Sequence, residues 1–135
     1  LDLIRKSARP KTIPVISPVG IGPHKQFHNV NADDVSSEIS ISLKAAKLVL
    51  LTDVRGIMRE KGNVETLIPT IKMEETEALI TDNVIQAGMI PKVRSCTNAL
   101  KGGVQKTHIV DGKIPHSLLL EIFTDTGIGT EIIKG

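Results

Sequence analysis

Apolar and polar residues alternate along the chain in two kinds of pattern. Apolar runs of strand length are typical of buried strands, and four occur, at Ile13–Gly20, Lys47–Asp53, Lys106–Gly112 and Gly127–Ile132. Apolar residues at helical spacing lie between these runs, over Ala32–Ala46, Lys72–Thr81, Pro91–Leu100 and Ile114–Thr124. This order predicts a single α/β domain over residues 1–135, with a mainly parallel sheet and helices on both faces.

Two of the predicted helices carry clear boundary signals. Asn31 fits the N-cap of the first, and Asp33 lies in its first turn, where a carboxylate suits the helix dipole. Its predicted inward face carries four apolar residues, Val35, Ile39, Leu43 and Ala46. Pro91 fits the first position of a later helix that buries Cys96 and ends at Gly102-Gly103. The stretch GIGPHKQFHNVN before the first of these helices predicts a hairpin or loop.

The composition removes several functional classes. Two Phe, no Tyr and no Trp leave little for nucleobases to stack on, which argues against a nucleic-acid partner. A single Cys excludes an internal disulfide and fits a reducing compartment. The chain has neither an apolar run of the ~20 residues that span a bilayer nor a secretion leader. We therefore expect a cytoplasmic protein that does not bind membranes.

Candidate chemistry lies where predicted strands end and helices begin. No P-loop, GxGxxG motif or metal-ligand spacing of histidines is present. Ligands in open α/β sheets bind beyond the carboxyl ends of strands, and Asp53 stands at such an end. Lys92 follows Pro91 at a helix N-terminus that favours an anion, although a surface lysine is the alternative. Asp33 could serve only as a helix-end charge, and Glu121 on the apolar helix SLLLEIF needs either a partner or partial exposure.

Four strings carry a family resemblance, namely NVNADD, KLVLLTDVRGI, AGMIPKVRSC and THIVDGKIPHSLLLEIFTDTGIGT. Together they resemble acetylglutamate kinases, of the amino acid kinase superfamily, from Ile13 to the end of the chain. LLTDVxGI is shared across the superfamily, whereas GMIPKV and the ending HSLLLEIFTDTGIGT are more specific. The ending is similar to the arginine-inhibited, hexamer-forming class. The family usually reads GGM where this chain has Ala87-Gly88-Met89.

The resemblance implies a fold, an activity and partners. The chain is expected to be the C-terminal, nucleotide-binding lobe of an amino acid kinase, with the N-terminal substrate lobe absent. The implied reaction is phosphoryl transfer from ATP, with Mg²⁺ bound to the nucleotide, to the side-chain carboxylate of N-acetyl-L-glutamate in arginine biosynthesis. A carboxylate nucleophile is ionised at neutral pH, so the chemical problem is electrostatic and needs no general base. A homo-oligomer, inhibition by arginine, a nitrogen-signalling PII partner and a cytoplasmic or plastid-stromal location are also implied.

The same resemblance assigns roles to individual residues. Lys92 is implied as the catalytic lysine on the transferring phosphoryl group, and Asp33 as the carboxylate that positions the catalytic lysines. Asn29 and Asn31 are implied as ligands of acetylglutamate. Nucleotide contacts are implied at Thr52, Asp53, Val54, Gly56, Val84, Ile85 and Gln86. The inhibitor arginine is implied to bind at His108, Glu121 and Gly127.

Two other hypotheses stay open at this point. One is a non-catalytic arginine-sensing or oligomerisation module, which the missing half favours for the isolated chain. The other is a superfamily member that acts on aspartate, carbamate or uridylate. Lys92 and Asp33 favour an enzyme, and the GMIPKV and HSLLLE strings argue against a different substrate. The isolated chain is expected to be inactive, because the second catalytic lysine and the phosphate-binding turn lie in the family's first half.

Overall fold

The computed structural model describes residues 2–124 and 126–135, so Leu1 and Asp125 lie outside the described residues. The helices are α1 (Asp2–Ser7), α2 (Ala32–Leu43), α3 (Thr76–Thr81), α4 (Met89–Lys101) and α5 (Ser117–Phe123). The strands are β1 (Val19–Ile21), β2 (Phe27–Asn29), β3 (Lys47–Thr52), β4 (Thr70–Lys72), β5 (Lys106–Asp111) and β6 (Thr130–Ile133). None of these helices has the length and apolarity that a membrane crossing requires.

Four strands form the main sheet, in the spatial order β3-β5-β6-β4. β3 is parallel to β5 and β4 is parallel to β6, whereas β5 and β6 are antiparallel. The register places Leu50 of β3 beside Ile109 of β5. The predicted α/β class with a parallel-rich sheet is therefore confirmed.

The predicted strand Ile13–Gly20 is wrong. Only its last residues pair, in the separate antiparallel hairpin β1–β2, so the segment predicted as a hairpin or loop just before α2 is a hairpin. Pro14 and Pro18 have no N–H to donate to a ladder, so a continuous strand cannot form there. Ile13 and Val15 are 87% and 94% exposed. The apolar residues of this segment are therefore not part of the core of the described chain.

A strand that the sequence pattern did not predict completes the sheet. β4 has only three residues, too few to show an alternating pattern. The helix predicted to begin at Lys72 starts later, because a 3₁₀ turn over Met73–Glu75 separates β4 from α3. The Glu75 carboxylate accepts the backbone N–H of Lys72 at 3.1 Å and so fixes the change from strand to turn.

The face that α2 turns to the core differs from the prediction. Val35, Ile39 and Leu43 are only partly buried and line an open groove of about 320 Å³. The buried residues of α2 are instead Ser37 and Ser40. Small hydroxyl side chains let α2 approach α4 closely, and the Ser37 hydroxyl accepts a hydrogen bond from Asn98 of α4 at 3.1 Å. The predicted apolar stripe thus faces away from the main core.

Two helix boundaries also differ from the prediction. Lys44 adopts a left-handed conformation (φ 54°, ψ 48°) that ends α2, so Ala46 lies beyond the helix. α4 begins at Met89, which makes Pro91 its third residue rather than its first. The first N–H groups of a helix have no intrahelical partner, so a proline is tolerated there. α4 ends at Lys101 with Gly102 as its C-cap, in agreement with the predicted end at Gly102-Gly103.

The hydrophobic core lies between the sheet and α4. Side chains alternate between the two faces of a strand, and Ile109 of β5 points into this core with Ile132 of β6 and Ile71 of β4. Cys96 of α4 is fully buried in the same cluster, as predicted. Burial raises the pKa of the Cys96 thiol to about 12, so this side chain is a core residue and not a nucleophile.

A buried carboxylate joins α5 to the C-terminal segment on the opposite face of β5. Oε1 of Glu121 lies 2.8 Å from Nδ1 of His108, which donates because a carboxylate can only accept. Oε2 accepts the backbone N–H groups of Ile128 at 2.7 Å and Gly129 at 2.9 Å. Gly127 has a φ of +62°, and a Cβ there would lie 2.8 Å from Oε2. The carboxylate therefore anchors the turn that leads into β6.

The pKa of Glu121 reflects two opposing influences. Burial is the largest single one and by itself raises the pKa, because the charged form loses hydration. The hydrogen bonds from Ile128, His108 and Gly129 together outweigh burial, so the pKa lies below its usual 4.5. A carboxyl group with a lowered folded-state pKa stabilises the fold above its unfolded pKa. That stabilisation is lost as the pH falls through the folded-state pKa.

We predict that Glu121→Gln lowers the free energy of unfolding by about 1–3 kcal/mol near neutral pH, because an amide leaves buried donors unsatisfied. The difference in unfolding free energy between this variant and the unmodified chain should shrink as the pH falls below 4.5. Protonation of Glu121 then removes the stabilisation that the ionised carboxylate provides in the unmodified chain. Urea denaturation at a series of pH values measures this. Glu77→Gln, on the exposed face of α3, is the control and should follow the unmodified curve. If Glu121→Gln lowers the free energy of unfolding by the same amount at every pH, the ionised carboxylate does not anchor the turn.

Candidate active site

A cavity of about 380 Å³ opens at the carboxyl end of β3, between the loop that follows this strand and the start of α4. Six of the residues implied as nucleotide contacts line it, namely Thr52, Asp53, Val54, Gly56, Val84 and Gln86. The seventh, Ile85, is not part of the cavity wall; its side chain is 1% exposed and packs in the core. Six of the seven residues that the resemblance implies therefore share one cavity, and their contact with a nucleotide stays a prediction.

Several cavity residues were not among the predicted nucleotide contacts. They come from the loop after β3 and from the turn before α4, and they are Ile57, Met58, Lys61, Ala87, Gly88 and Met89. The quoted strings LLTDVRGI and AGMIPKV contain four of them, so proximity to those motifs was the available signal. Met58 and Lys61 lie beyond both strings, and only the folded loop brings them to the cavity.

Gly56 shapes the wall of this cavity by close backbone approach. Its φ is +150°, and a Cβ there would lie 2.6 Å from the Thr130 hydroxyl oxygen and 3.0 Å from the Thr130 nitrogen. The Thr130 hydroxyl accepts the backbone N–H of Ile57 at 2.9 Å and donates to the carbonyl of Ile68 at 2.8 Å. A larger residue at position 56 would separate the loop from β6 and displace the cavity wall.

The implied catalytic pair is in direct contact. Nζ of Lys92, in the first turns of α4, lies 3.1 Å from both carboxylate oxygens of Asp33 in the first turn of α2. The two side chains are 24% and 19% exposed, so the ammonium is partly shielded yet reaches the cavity that it lines. A bidentate contact with a fixed carboxylate restricts the lysine to one orientation.

The N-terminus of α2 is held by a cap and by contacts to α4. Oδ1 of Asn31 accepts the backbone N–H groups of Asp33 at 2.8 Å and Asp34 at 3.3 Å, which confirms the predicted N-cap. The Ser95 hydroxyl of α4 donates to Asp34 at 3.0 Å. Asn29, the other implied acetylglutamate ligand, is exposed at the end of β2. Asn31 therefore orients the carboxylate-bearing turn through the backbone, whereas Asn29 faces outward from the hairpin.

The three residues implied for arginine meet at one place, the Glu121 anchor on the opposite face of β5. Glu121 contacts His108 through its side chain and borders Gly127. A carboxylate offers about four lone-pair positions, and three are already used by His108 and the two backbone N–H groups. Nε2 of His108 is buried and has no hydrogen-bond partner within residues 2–124 and 126–135. Among the described residues, the cluster thus keeps one acceptor position on Glu121 and the ring nitrogen Nε2 of His108 without partners.

Metal binding by protein groups alone has no support in the part of the chain that the structure describes. No group of three or more His, Cys, Asp or Glu side chains lies together there. Asp53 is the carboxylate that lines the cavity itself. Mg²⁺ commonly binds through one or two carboxylates together with substrate phosphates. The donor set at the cavity therefore fits a cation that arrives with a nucleotide.

Comparison with known proteins agrees with this architecture. Residues 1–111 match the model of the amino acid kinase family. Acetylglutamate kinase of Heliobacterium modesticaldum is 51% identical over 132 residues, which cover 98% of this chain and 45% of the relative. The chain spans less than half the length of the curated relatives that it matches.

Solved structures share the fold. N-acetylglutamate synthase from Neisseria gonorrhoeae, complexed with coenzyme A and L-arginine, superposes with a TM-score of 0.88 at 32% identity over 99% of this chain and 30% of that chain. Carbamate kinase from Giardia lamblia bound to AMP-PNP superposes with a TM-score of 0.63 at 26% identity over 84% of this chain and 36% of that chain. Because the family model matches most of this chain, residues 1–111 of 135, the chain belongs to the amino acid kinase family.

Proposed function

We propose that this chain supplies the ATP-binding half of an enzyme that phosphorylates the side-chain carboxylate of N-acetyl-L-glutamate. The observation that carries the proposal is the cavity at the end of β3, bordered by a lysine already oriented by a carboxylate. Relatives about half identical to this chain are named acetylglutamate kinase, which disfavours aspartate, carbamate or uridylate as the acceptor. The carbamate kinase with the same fold was solved with an ATP analogue, which supports a nucleotide in this cavity.

The chemistry required is the approach of two anions and the stabilisation of charge on the moving phosphoryl group. Lys92 provides a compact positive charge at the cavity, and Asp33 holds that charge in place before the substrate arrives. Preorganisation of this kind avoids reorientation of the charge during the reaction. Bound Mg²⁺ would neutralise phosphate charge, and Asp53, which lines the cavity, is the carboxylate that would help to hold it. No residue of the chain has to act as a base.

The acetylglutamate contacts are proposed at the α2 side of the site. Asn31 lies directly before the turn that carries Asp33, and Asn29 ends the neighbouring strand β2. The surface on this side is strongly apolar, since Ile13, Val15 and Phe27 are 87%, 94% and 77% exposed. Burying such a surface is favourable, and the chain is less than half as long as its relatives. We propose that the remaining part of the enzyme covers this surface and completes the acetylglutamate pocket.

Feedback inhibition by arginine is proposed at the Glu121 anchor. A guanidinium can use the acceptor position that remains on Glu121, and Nε2 of His108 is a buried polar atom that lacks a partner among the described residues. The synthase that superposes on 99% of this chain was crystallised with L-arginine, which is consistent with such a site. The sequence motifs further support a hexameric assembly, a PII signalling partner and a cytoplasmic or plastid-stromal location as proposals.

Substitution of Lys92 by Ala in the full-length product of the gene tests the catalytic proposal. We expect kcat to fall by about 10² or more with a much smaller change in nucleotide affinity, because Lys92 acts on charge that develops during transfer. Lys92→Arg should restore only part of the rate, since a planar guanidinium does not replace a compact ammonium. Lys101→Ala, at the exposed end of the same helix, is the control. Near-normal kcat in Lys92→Ala would refute the assignment.

Arginine inhibition of the same full-length enzyme tests the regulatory proposal. Glu121→Ala should weaken arginine binding by about 1.5–3 kcal/mol, roughly a tenfold to hundredfold rise in the inhibitory concentration. Activity without arginine reports whether the variant still folds, and the milder Glu121→Gln provides a second variant if it does not. Unchanged arginine sensitivity in a folded variant would show that the anchor is structural only.

A further inference from the structure

Lys61 lies on the wall of the cavity and outside the four strings that carry the family resemblance. It belongs to the loop that follows β3 and is one of the two lysines that line the cavity. The other, Lys92, is already paired with Asp33. Within residues 2–124 and 126–135, Lys61 makes neither an ion pair nor a side-chain hydrogen bond. Its charge is therefore available to a ligand.

The loop that carries Lys61 is held in a defined shape by its own hydrogen bonds. Met58 and Leu67 form a β-bridge across its base. The backbone N–H of Glu60 donates to the Thr66 hydroxyl at 3.0 Å, and that hydroxyl donates to the carbonyl of Asn63 at 2.7 Å. These bonds close the loop on both sides of Lys61. Lys61 thus lies in a loop whose backbone is fixed by hydrogen bonds.

Among the described residues that line the cavity, Lys61 is the lysine that has no carboxylate partner. Glu60 directs its carboxylate to the Asn63 side-chain amide at 3.0 Å instead of to Lys61. Asp53, the carboxylate that lines the cavity, is not within ion-pair distance of Lys61. A ligand that carries several negative charges is the natural partner of an unpaired ammonium beside a largely apolar wall.

We propose that Lys61 binds the phosphate chain of the nucleotide and so makes the site prefer nucleoside diphosphates and triphosphates over nucleosides. The inference rests on the proposed function, because it assumes that a nucleotide occupies the cavity. Lys92 then acts on the transferring group, while Lys61 holds phosphate groups that stay with the nucleotide. This division gives the two cavity lysines separate effects, one on turnover and one on affinity.

Calorimetry on the 135-residue chain with ADP, AMP and adenosine tests the proposal. The unmodified chain should bind ADP more tightly than adenosine. Lys61→Gln should weaken ADP binding by about tenfold or more, as expected for loss of a charge-assisted hydrogen bond, and should leave adenosine binding unchanged. Lys47→Gln, at the other end of β3, is the matched control and should bind all three ligands like the unmodified chain.

The outcomes separate this inference from the function on which it rests. ADP binding by the unmodified chain that Lys61→Gln retains within twofold would overturn the role of Lys61 and leave the nucleotide site intact. An equal loss of ADP and adenosine binding in Lys61→Gln would also overturn it, because the lysine would then contact the nucleoside. Failure of the folded, unmodified chain to bind any of the three ligands would overturn both the nucleotide site and the role of Lys61.

Discussion

The contact between α2 and α4 determines where the ammonium of Lys92, the proposed catalytic group, is held. The ion pair of Lys92 with Asp33 is the first of several polar contacts between the two helices. Further along, Ser95 donates a hydrogen bond to Asp34, and Asn98 donates to Ser37 and Glu38. An ion pair this close to the surface contributes little to stability. Its directional geometry instead fixes the rotation and register of one helix against the other. Apolar contacts alone would permit sliding, and the ammonium would then lose its fixed position at the cavity.

A second set of contacts links the cavity at the end of β3 to the C-terminal segment. The Glu121 carboxylate accepts a hydrogen bond from the backbone N–H of Gly129. The hydroxyl of the next residue, Thr130, accepts the backbone N–H of Ile57, which lies on the cavity wall. The close approach of Gly56 to Thr130 makes this crossing possible. The proposed arginine cluster and the proposed nucleotide site are thus connected by two buried hydrogen bonds to adjacent residues, Gly129 and Thr130, at the start of β6.

The elements with long apolar patterns could be predicted from the sequence. The predictions failed where pairing or packing partners decide the structure. The strands β3 and β5 and the helix α4 are nearly continuous patterns, and their ends carry the residues that meet at the site. The failed strand Ile13–Gly20 has the apolar content of a strand but contains prolines that prevent pairing. The apolar stripe of α2 was assigned to the core because periodicity shows that a face is apolar but not what covers it. Lys61 could not be found from the sequence, because the loop that places it is built from side-chain hydrogen bonds.

The central claim, that a nucleotide occupies the cavity at the end of β3, can be tested with the methionines of this chain. Two of the three methionines, Met58 and Met89, line the cavity, whereas Met73 packs beside the core outside it. With ¹³C-methyl methionine, an NMR titration with ADP should shift the signals of Met58 and Met89 and leave that of Met73 in place. A shift confined to Met73, or no shift at saturating ADP in a folded chain, would contradict the claim.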